Sequence, residues 1–333
     1  MVTLKDIANK AGVSVNTVSC ALRGSTKISK PVSERIAKLA SEMGYMPNSA
    51  AVTLRNKKSR VIGLIVTDIS NPVFGNMVKG AENAAREKGY SIIISNTDEN
   101  KTNEIDALST MISRRVDGII LNPTQHDTES LQLLKRVNMP FILMARRFRD
   151  YQTNYVVCDD ILGGYFAAEY LVSKNHRNIV FINGPKHISS SYEREEGFRK
   201  ALKKSRLTLR AVYYIYPSIN EGMEVAAKLL DSGIEFTAVQ CFDDYTAFGV
   251  MMMFEKRGVK VPGDVAVLGY DNTEFAEVIR SGLTSIDLNE YRTGLLSAEY
   301  LVDIIEDQRM SHSVNPSFRQ VILEPKLIVR GST

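Results

Sequence analysis

The chain has 333 residues, of which 44% are hydrophobic and 24% are charged, and its net charge is +4. This composition is typical of globular proteins and the length allows two or three domains, which excludes a disordered or fibrous chain. Because no stretch approaches the roughly 18 uncharged apolar residues of a membrane span, and no apolar run follows a basic start, we expect a cytoplasmic protein with no membrane partner.

Residues 3–23 predict two short helices joined by a tight turn. Apolar residues recur at helical spacing from Leu4 to Ala11, Gly12 can adopt the positive φ that ends a helix, and Ser14 can cap the next helix. This pattern is a helix-turn-helix, and the second helix of such a unit can enter the major groove of DNA.

The second predicted helix, residues 15–22, has two faces. Val18, Ala21 and Leu22 point towards the first helix at this spacing. The side chains that remain on or near the outer face are Val15, Asn16, Thr17, Ser19 and Cys20.

Basic residues are concentrated at the start of the chain. Residues 1–60 hold 11 Lys and Arg against 3 Asp and Glu, a net charge of +8, which leaves −4 for the rest of the chain. An even spread of charge along the chain would not indicate any particular partner. The concentration of positive charge in residues 1–60 predicts a polyanionic partner for the N-terminal part alone.

A third helix and a linker come next. Residues 26–44 predict a helix with Pro31 near its first turn and Gly44 at its end. Residues 48–55 are helix-prone but too short to be stable alone, so we expect them to fold only with a partner. The polar, basic residues 56–60 predict a linker to the next domain.

From Val61 onwards the chain alternates apolar runs with amphipathic stretches. Such alternation predicts parallel sheets covered by helices on both faces, and about 270 residues of it exceed one comfortable core, so we expect two α/β lobes. The predicted strands are 61–66, 90–95, 117–121, 140–144, 179–182, 212–215, 238–242 and 265–269.

Acidic residues follow several of these strands. In α/β lobes a ligand binds at the carboxyl ends of parallel strands, so these carboxylates would surround a cleft. The alternative for each is that the aspartate caps the next helix. Several together favour a polar ligand, for which Arg194, at the start of a predicted helix, is a further candidate; a surface charge is its alternative. The aspartates are Asp68, Asp159, Asp243, Asp244 and Asp271.

Sequence signatures of catalysis are absent. The chain contains no GxxxxGK, GxGxxG, HExxH or GxSxG motif, and its four histidines are not clustered with carboxylates. Cys20, Cys158 and Cys241 lie far apart without metal-ligand spacing, which predicts reduced thiols. We therefore expect no enzymatic activity, no metal and no cofactor.

Five motifs are spread over the chain. They are LKDIANKAGVSVNTVS (4–19), GYMPNSAAVTLR (44–55), RVDGII (115–120), PGDV (262–265) and GYDNTE (269–274). With them the chain resembles the lactose-repressor (LacI/GalR) family of bacterial transcription regulators from end to end. The first two motifs in tandem are highly specific, whereas the later ones also suit periplasmic sugar-binding proteins, which carry an export signal and no helix-turn-helix.

The resemblance implies an all-α helix-turn-helix headpiece followed by a periplasmic-binding-protein-like α/β core of two doubly wound parallel-sheet lobes. The headpiece is expected at 1–47, a hinge helix and linker at 48–59, and the core at 60–333. Within the core, the first lobe is expected at 60–159 and 289–316, and the second at 160–288 and 317–330.

The resemblance also implies the contacts with a double-stranded DNA operator. Val15, Asn16 and Cys20 would face base edges, and Cys20 departs from the larger polar residue that the family often has, which predicts weak or apolar readout there. Phosphates would be held mainly by Ser14, Thr17, Ser19 and Arg23. The full set of expected DNA-binding residues is Thr3, Ser14, Val15, Asn16, Thr17, Ser19, Cys20, Arg23, Leu54 and Arg55.

Residues 48–56 resemble the hinge helix of the family, which pairs with its twin in the minor groove. Leu54 would wedge into the central base step and bend the duplex. Its alternative is to pack on its own headpiece. Arg55, Lys57 and Lys58 would add phosphate contacts and a steep salt dependence.

An effector is expected between the two lobes. The implied contacts are Phe74, Asp159, Arg194, Asp243 and Asp271, with Asn71 and Ser218 as further candidates. Carboxylates with one arginine suit the hydroxyls of a sugar or related polyol, and a phenylalanine ring suits its apolar face. A purine- or nucleoside-responsive regulator stays an alternative, as does a ligand-binding protein that does not act on DNA.

The implied mechanism is linkage between two sites. A homodimer would bind a palindromic operator, and the effector would shift the population in which both hinge helices fold on DNA. The chain shows no heptad tail after its final strand, which favours a dimer over a tetramer. A protein corepressor is disfavoured because helix 291–305 carries Glu299 and Asp303 where positive charge is needed.

Overall fold

The computed structural model describes residues 2–46, 58–279, 282–310 and 318–333. The chain forms two compact units, residues 1–59 and residues 60–333. The expected hinge helix, with Leu54 and Arg55, lies outside the described residues, so its conformation stays a prediction.

Three helices make up the described part of the first unit: α1 (Leu4–Ala11), α2 (Val15–Leu22) and α3 (Lys30–Glu42). Gly12 ends α1 with a φ of 67°, and Ser14 Oγ accepts a hydrogen bond from the backbone N–H of Thr17 at the start of α2. The predicted helix-turn-helix is therefore confirmed. The buried core of this bundle consists of Ile7, Ala8, Val18, Ala21, Ile36 and Ala40.

The second unit contains two lobes, each built on one six-stranded sheet. The strands of lobe 1 are β1 (Val61–Val66), β2 (Ser91–Asn96), β3 (Gly118–Leu121), β4 (Phe141–Met144), β5 (Tyr155–Cys158) and β11 (Gln320–Leu323). Its helices are α4 (Pro72–Glu87), α5 (Lys101–Ser113), α6 (Glu129–Arg136) and α12 (Glu290–Met310). The strand order is β2-β1-β3-β4-β5-β11, and all neighbours are parallel.

Lobe 2 repeats this plan with one exception. Its strands are β6 (Ile179–Asn183), β7 (Ala211–Tyr214), β8 (Ala238–Cys241), β9 (Ala266–Asp271), β10 (Thr284–Asp287) and β12 (Lys326–Ile328). Its helices are α7 (Asp160–Ser173), α8 (Ser189–Lys204), α9 (Ile219–Asp231), α10 (Asp244–Lys256) and α11 (Glu274–Val278). In the order β7-β6-β8-β9-β10-β12, only β12 is antiparallel to its neighbour.

Helices cover both faces of each sheet. In lobe 1, α4 and α12 pack on one face while α5 and α6 pack on the other; in lobe 2, α7 and α8 face α9 and α10 across the sheet. Every residue of β3, β4 and β8 is therefore buried. Strands buried on both faces are continuous apolar runs, which makes them recognisable in a sequence. The eight predicted strands are confirmed, each within two residues of its observed bounds.

The predicted division of residues 317–330 is wrong for its first half. Strand β11 pairs in parallel with β5 of lobe 1, with Val321 opposite Val156, and only β12 joins lobe 2. A local apolar pattern predicts a strand but not the sheet edge that it joins. The chain consequently passes between the lobes three times, after β5, after β10 and after β11.

Candidate functional site

The outer face of α2 is the candidate DNA-reading surface. Val18 and Ala21 are buried against the other helices and Leu22 is half-buried, whereas Val15 and Asn16 are exposed. The same face carries the half-buried Thr17, Ser19 and Cys20 and, just beyond the helix, the exposed Arg23. The inward and outward faces agree with the sequence prediction, and the DNA contacts of these residues stay predictions.

Three of these side chains form one row along α2. The thiol of Cys20 donates to Asn16 Oδ1 across 3.9 Å, and Arg23 Nη2 lies 3.4 Å from Cys20 Sγ. Arg23 Nε also donates to the carbonyl of Ser19 at 2.7 Å. The row arises because residues four and three apart share one helix face.

Thr3 has a structural role at the start of the headpiece. Its hydroxyl accepts a hydrogen bond from the backbone N–H of Asp6, while its own backbone N–H donates to the Asp6 carboxylate at 2.8 Å. This reciprocal capping box fixes the first turn of α1. The bond from the Thr3 side chain also lowers the pKa of Asp6.

A cavity of about 350 Å³ lies between lobe 1 and lobe 2, at the carboxyl ends of their strands. Of the residues predicted from the sequence, those that line it are Asp68, Asn71, Phe74, Arg194, Asp243 and Asp271. The structure thus brings side chains from both lobes to one cavity, as expected for α/β sheets whose strands end at a shared crevice.

Arg194 is the most constrained side chain of the cavity. It is 5% exposed, and its Nε donates to Asp160 Oδ1 at 2.8 Å while its Nη1 donates to the carbonyl of Phe242 at 2.6 Å. Its guanidinium lies 3.7 Å from the ring centroid of Tyr270 and 4.5 Å from that of Phe242. These contacts satisfy and orient the charge that burial would otherwise disfavour.

A glycine contact places Arg194 beside Asp160. A Cβ added to Gly164 of α7 would lie 2.0 Å from the carbonyl oxygen of Arg194 on α8. Only glycine therefore allows the two helix backbones to approach this closely, and the approach brings the start of α8 over the start of α7.

Asp271 combines burial with backbone strain. It ends β9 with a φ of 106°, a region that residues with a Cβ rarely adopt and that costs on the order of 1–3 kcal/mol. Its Oδ1 lies 3.8 Å from Arg194 Nη2. Burial raises the pKa of Asp271 well above its ordinary value, and Arg194 only partly opposes this. A strained backbone at a ligand cavity is typical of a binding residue.

Asp243 both caps a helix and lines the cavity. It is 4% exposed, and its Oδ1 accepts a hydrogen bond from the N–H of Thr246 at the start of α10, at 2.8 Å. Burial raises its pKa. The two alternatives considered from the sequence therefore hold together at this residue.

The placement of Asp159 corrects the sequence prediction. Its carboxylate accepts from the N–H of Leu162 at 2.9 Å and caps α7, and it is not part of the cavity lining. The following residue, Asp160, lines the cavity instead and is 4% exposed. Ser218 likewise caps a helix, by accepting from the N–H of Glu221, and lies outside the lining.

Sequence reasoning missed a second arginine in the cavity wall. Arg146, 7% exposed, donates from Nη1 and Nη2 to the two carboxylate oxygens of Glu99 at 2.9 and 2.6 Å, and from Nη1 to the carbonyl of Pro123. Burial opposes ionisation of Glu99, but Arg146 holds its pKa below the ordinary value. The sequence did offer one indication that Arg146 faces the cavity: it comes two residues after the buried strand β4, at the strand end where ligands bind.

Two further properties bear on function. None of the helices within the described ranges is long and apolar enough to cross a membrane. In the same ranges, no group of three His, Cys, Asp or Glu side chains has an arrangement that could hold a metal ion.

Two family profiles match the sequence. The profile of bacterial regulatory proteins of the lacI family matches residues 3–48, and the profile of periplasmic binding proteins and the sugar binding domain of the LacI family matches residues 59–321. The chain belongs to the LacI family. The resemblance seen in the sequence and the expected fold class are thereby confirmed.

This LacI-family chain is similar to named regulators over its full length. It is 30% identical over 341 residues to the HTH-type transcriptional regulator DegA of Bacillus subtilis (strain 168), covering 99% of this chain and 98% of that protein. It is 29% identical over 335 residues to the ribose operon repressor of Escherichia coli (strain K12), covering 100% of both.

Among solved structures, the lac repressor dimer bound to operator and the anti-inducer ONPF is similar to this chain with a TM-score of 0.88 at 25% identity. The match covers 99% of this chain and 98% of that one. Together with the two profiles, these relatives show that the chain is a DNA-binding transcription regulator.

Proposed function

We propose that this LacI-family regulator is a repressor that binds a palindromic operator as a homodimer and is controlled by an uncharged, polyhydroxylated small molecule, a sugar or related polyol, in the cavity between its lobes. The charge of the cavity wall carries this proposal. Its described lining contains six carboxylate side chains and two arginines: Asp68, Asp98, Glu99, Asp160, Asp243, Asp271, Arg146 and Arg194.

Both arginines are already paired within the protein. Arg146 is bound to Glu99 and Arg194 is bound to Asp160, so neither has its full charge available for an anionic ligand. The remaining carboxylates accept hydrogen bonds, which the hydroxyls of a sugar donate. A phosphate ester would bring two negative charges into a partly buried wall of the same sign, and like charges at low effective dielectric repel strongly.

Apolar surface completes the fit to a ring-shaped ligand. Phe74 from lobe 1 and Phe242 from lobe 2 both line the cavity, and aromatic faces pack against the C–H faces of sugar rings as well as against bases. These rings are the observation that favours a second candidate, a nucleoside, whose ribose hydroxyls would meet the same carboxylates.

The headpiece supports recognition of DNA. Val15 and Asn16 are exposed on α2, where an asparagine can pair with a base edge and a valine can contact a thymine methyl group. The net charge of +8 over residues 1–60 supplies attraction to phosphates. With Cys20 contributing little polar readout, we propose that Leu54 of the hinge shares the task of specificity.

The effector is tested by thermal-shift and calorimetric screening of pentoses, hexoses, their phosphate esters and nucleosides. In Asp271→Asn we expect the affinity for the sugar that binds to fall by about ten- to a hundredfold, because the amide nitrogen replaces one of the two carboxyl oxygens that can accept a hydrogen bond from a ligand hydroxyl. Asp159→Asn is the matched control: asparagine caps helices as well as aspartate does, so affinity should not change. Tighter binding of a phosphate ester than of its parent sugar would contradict the proposed class.

The DNA partner is tested by selecting duplexes from a random library and measuring binding by fluorescence anisotropy. We expect a palindromic consensus, loss of discrimination by about five- to a hundredfold in Asn16→Ala, and weaker specific binding in Leu54→Ala. Lys228→Ala, on an exposed face of α9, is the control. A protein that prefers no duplex over bulk DNA, or whose Leu54→Ala variant binds unchanged, would overturn this mechanism, and light scattering that gives four chains would overturn the dimer.

A protein corepressor is not part of the proposal. Glu299 and Asp303 lie on α12, and Asp303 accepts a hydrogen bond from Arg319 at 3.0 Å. These two acidic side chains support the view that the helix does not present a basic surface.

A further inference from the structure

A group of polar contacts joins the two lobes beside the effector cavity. Arg147 follows β4 of lobe 1, and its Nε donates to Glu193 Oε1 of α8 in lobe 2 at 3.2 Å. Arg149 lies 3.7 Å from the same carboxylate oxygen and is also paired with Glu196. Ser189, at the start of α8, accepts a hydrogen bond from the backbone N–H of Arg147 at 3.3 Å. We call these five residues the interlobe latch.

Gln125 and a pair of histidines extend the contact. Gln125 Nε2 donates to the carbonyl of Arg147 at 2.9 Å, and its Oε1 accepts from the N–H of Ser189 at 2.8 Å. This one side chain of lobe 1 therefore binds the backbone of both lobes. The rings of His126 in lobe 1 and His187 in lobe 2 stack with centroids 4.5 Å apart.

The latch is more buried than ordinary surface ion pairs. The side chain of Glu193 is 3% exposed and that of Arg147 is 19% exposed. Burial raises the pKa of Glu193, and the charge of Arg147 opposes this. An unpaired carboxylate at this depth would strongly disfavour the closed arrangement, so closure of the lobes depends on an arginine from lobe 1 that pairs with Glu193.

The latch is also adjacent in sequence to the cavity arginines. Arg146 points into the cavity wall while Arg147 crosses to lobe 2; Arg194 points into the cavity while Glu193 meets lobe 1. Each lobe therefore supplies two consecutive residues, one facing the ligand space and one facing the other lobe.

We infer that Glu193 and Arg147 are positioning residues that hold the lobes closed over the cavity. This inference deepens the proposed function, because it concerns the regulation of the same cavity. Separation of the lobes would break the ion pair of Glu193 with Arg147 and the hydrogen bonds beside it, so the latch stabilises the closed arrangement whether or not a ligand is bound.

The cysteines of the chain provide the test. Cys158 lines the cavity and is 5% exposed, Cys241 is fully buried in the sheet of lobe 2, and Cys20 lies half-buried on the headpiece. Burial raises the pKa of Cys158 as well, so this thiol reacts slowly until the cavity opens. The full native chain is labelled with iodoacetamide, and mass spectrometry follows each of the three cysteine peptides. Labelling of Cys158 reports opening of the cavity, and labelling of Cys241 reports loss of the lobe 2 fold. Labelling of Cys20 shows that the reagent is active.

In Arg147→Gln and in Glu193→Gln we expect labelling of Cys158 to accelerate by about tenfold, with Cys241 unchanged. The double variant should be no faster than the faster single variant, because both changes break one contact. Arg199→Gln is the matched control: it removes an ion pair with Glu195 that lies within α8, and Cys158 should keep its rate.

Two results would overturn the latch: an unchanged rate at Cys158, or a rise at Cys158 and Cys241 together, which would show general loosening instead of lobe opening. The measurement uses neither DNA nor effector. A failed sugar screen would therefore contradict the proposed effector without affecting the latch, and a failed labelling test would remove the latch without affecting the proposed effector.

Discussion

The two lobes hold their cavity arginines in different ways. In lobe 1, Arg146 stands on a loop and is bound by Glu99 and one carbonyl, and the side chain of Glu99 remains 25% exposed. In lobe 2, Arg194 stands on a helix, is bound by a carboxylate and a carbonyl, and lies against two aromatic rings. Because Arg194 is enclosed by aromatic rings and Glu99 keeps access to water, we expect lobe 2 to provide the more rigid part of the site and the wall contributed by lobe 1 to adjust more easily.

The largest expected effect is that of Arg194→Gln. It leaves Asp160, 4% exposed, as a buried carboxylate without its cation, so we expect the free energy of unfolding to fall by about 3–5 kcal/mol. Chemical denaturation measures this. Adding Asp160→Asn should restore part of the loss, since no charge is then left unpaired. If Arg194→Gln costs no more than Arg146→Gln, the contrast between the lobes is wrong.

The second effect is a pH dependence that arises from one carboxyl in each lobe, Asp244 at the start of α10 in lobe 2 and Glu290 at the start of α12 in lobe 1. Burial raises the pKa of Asp244 and of Glu290 to about 7. Both carboxyls bind protons more tightly in the folded than in the unfolded chain, so their contribution to stability is full below about pH 4 and is lost as the pH rises through 7. For each group we expect unfolding free energy to fall by roughly 3 kcal/mol between pH 5 and pH 8.

Asp244→Asn should remove most of the pH dependence that Asp244 contributes, because asparagine does not titrate. Asparagine can keep hydrogen bonds to Thr273 and Ser285. Asp106→Asn, on an exposed face of α5, is the control. Denaturation curves at several pH values test the assignment, and a slope that persists in Asp244→Asn and Glu290→Gln would place the titrating groups elsewhere.

A smaller effect is expected for Arg146→Gln. Because Glu99 keeps some access to water, loss of its partner should cost about 1–2 kcal/mol of unfolding free energy, less than the change at Arg194. Calorimetry should likewise show a smaller loss of ligand affinity in Arg146→Gln than in Arg194→Gln. An effect as large as that of Arg194→Gln would show that the wall of lobe 1 is as rigid as that of lobe 2.

The sequence predicted the fold better than the site. Apolar runs marked the eight predicted strands, and β3, β4 and β8 carry that signal at every position because they are buried on both faces. Residues 320–323 were not predicted as a strand and were assigned to the wrong lobe, since pairing with β5 or with β10 depends on the path of the chain over the whole core and not on these residues themselves.

At the site, errors arose over single residues. Asp159 and Asp160 are both acidic, and only the exact start of α7 decides that the first caps the helix and the second faces Arg194. Arg146 and Glu99 were missed because loops that follow strands give no periodic signal. Phe74, Arg194, Asp243 and Asp271 line the cavity between the lobes, where the family resemblance placed them, and their contacts with an effector stay predictions.

The position of β11 has a consequence for biosynthesis. A ribosome must synthesise β6 to β10 before it reaches the edge strand that completes the sheet of lobe 1. Throughout that interval the nascent lobe 1 exposes the unpaired edge of β5, which is a site for pairing with other chains. We therefore expect nascent chains of this protein to require protection by chaperones until residue 323 has left the exit tunnel, although the headpiece can fold long before.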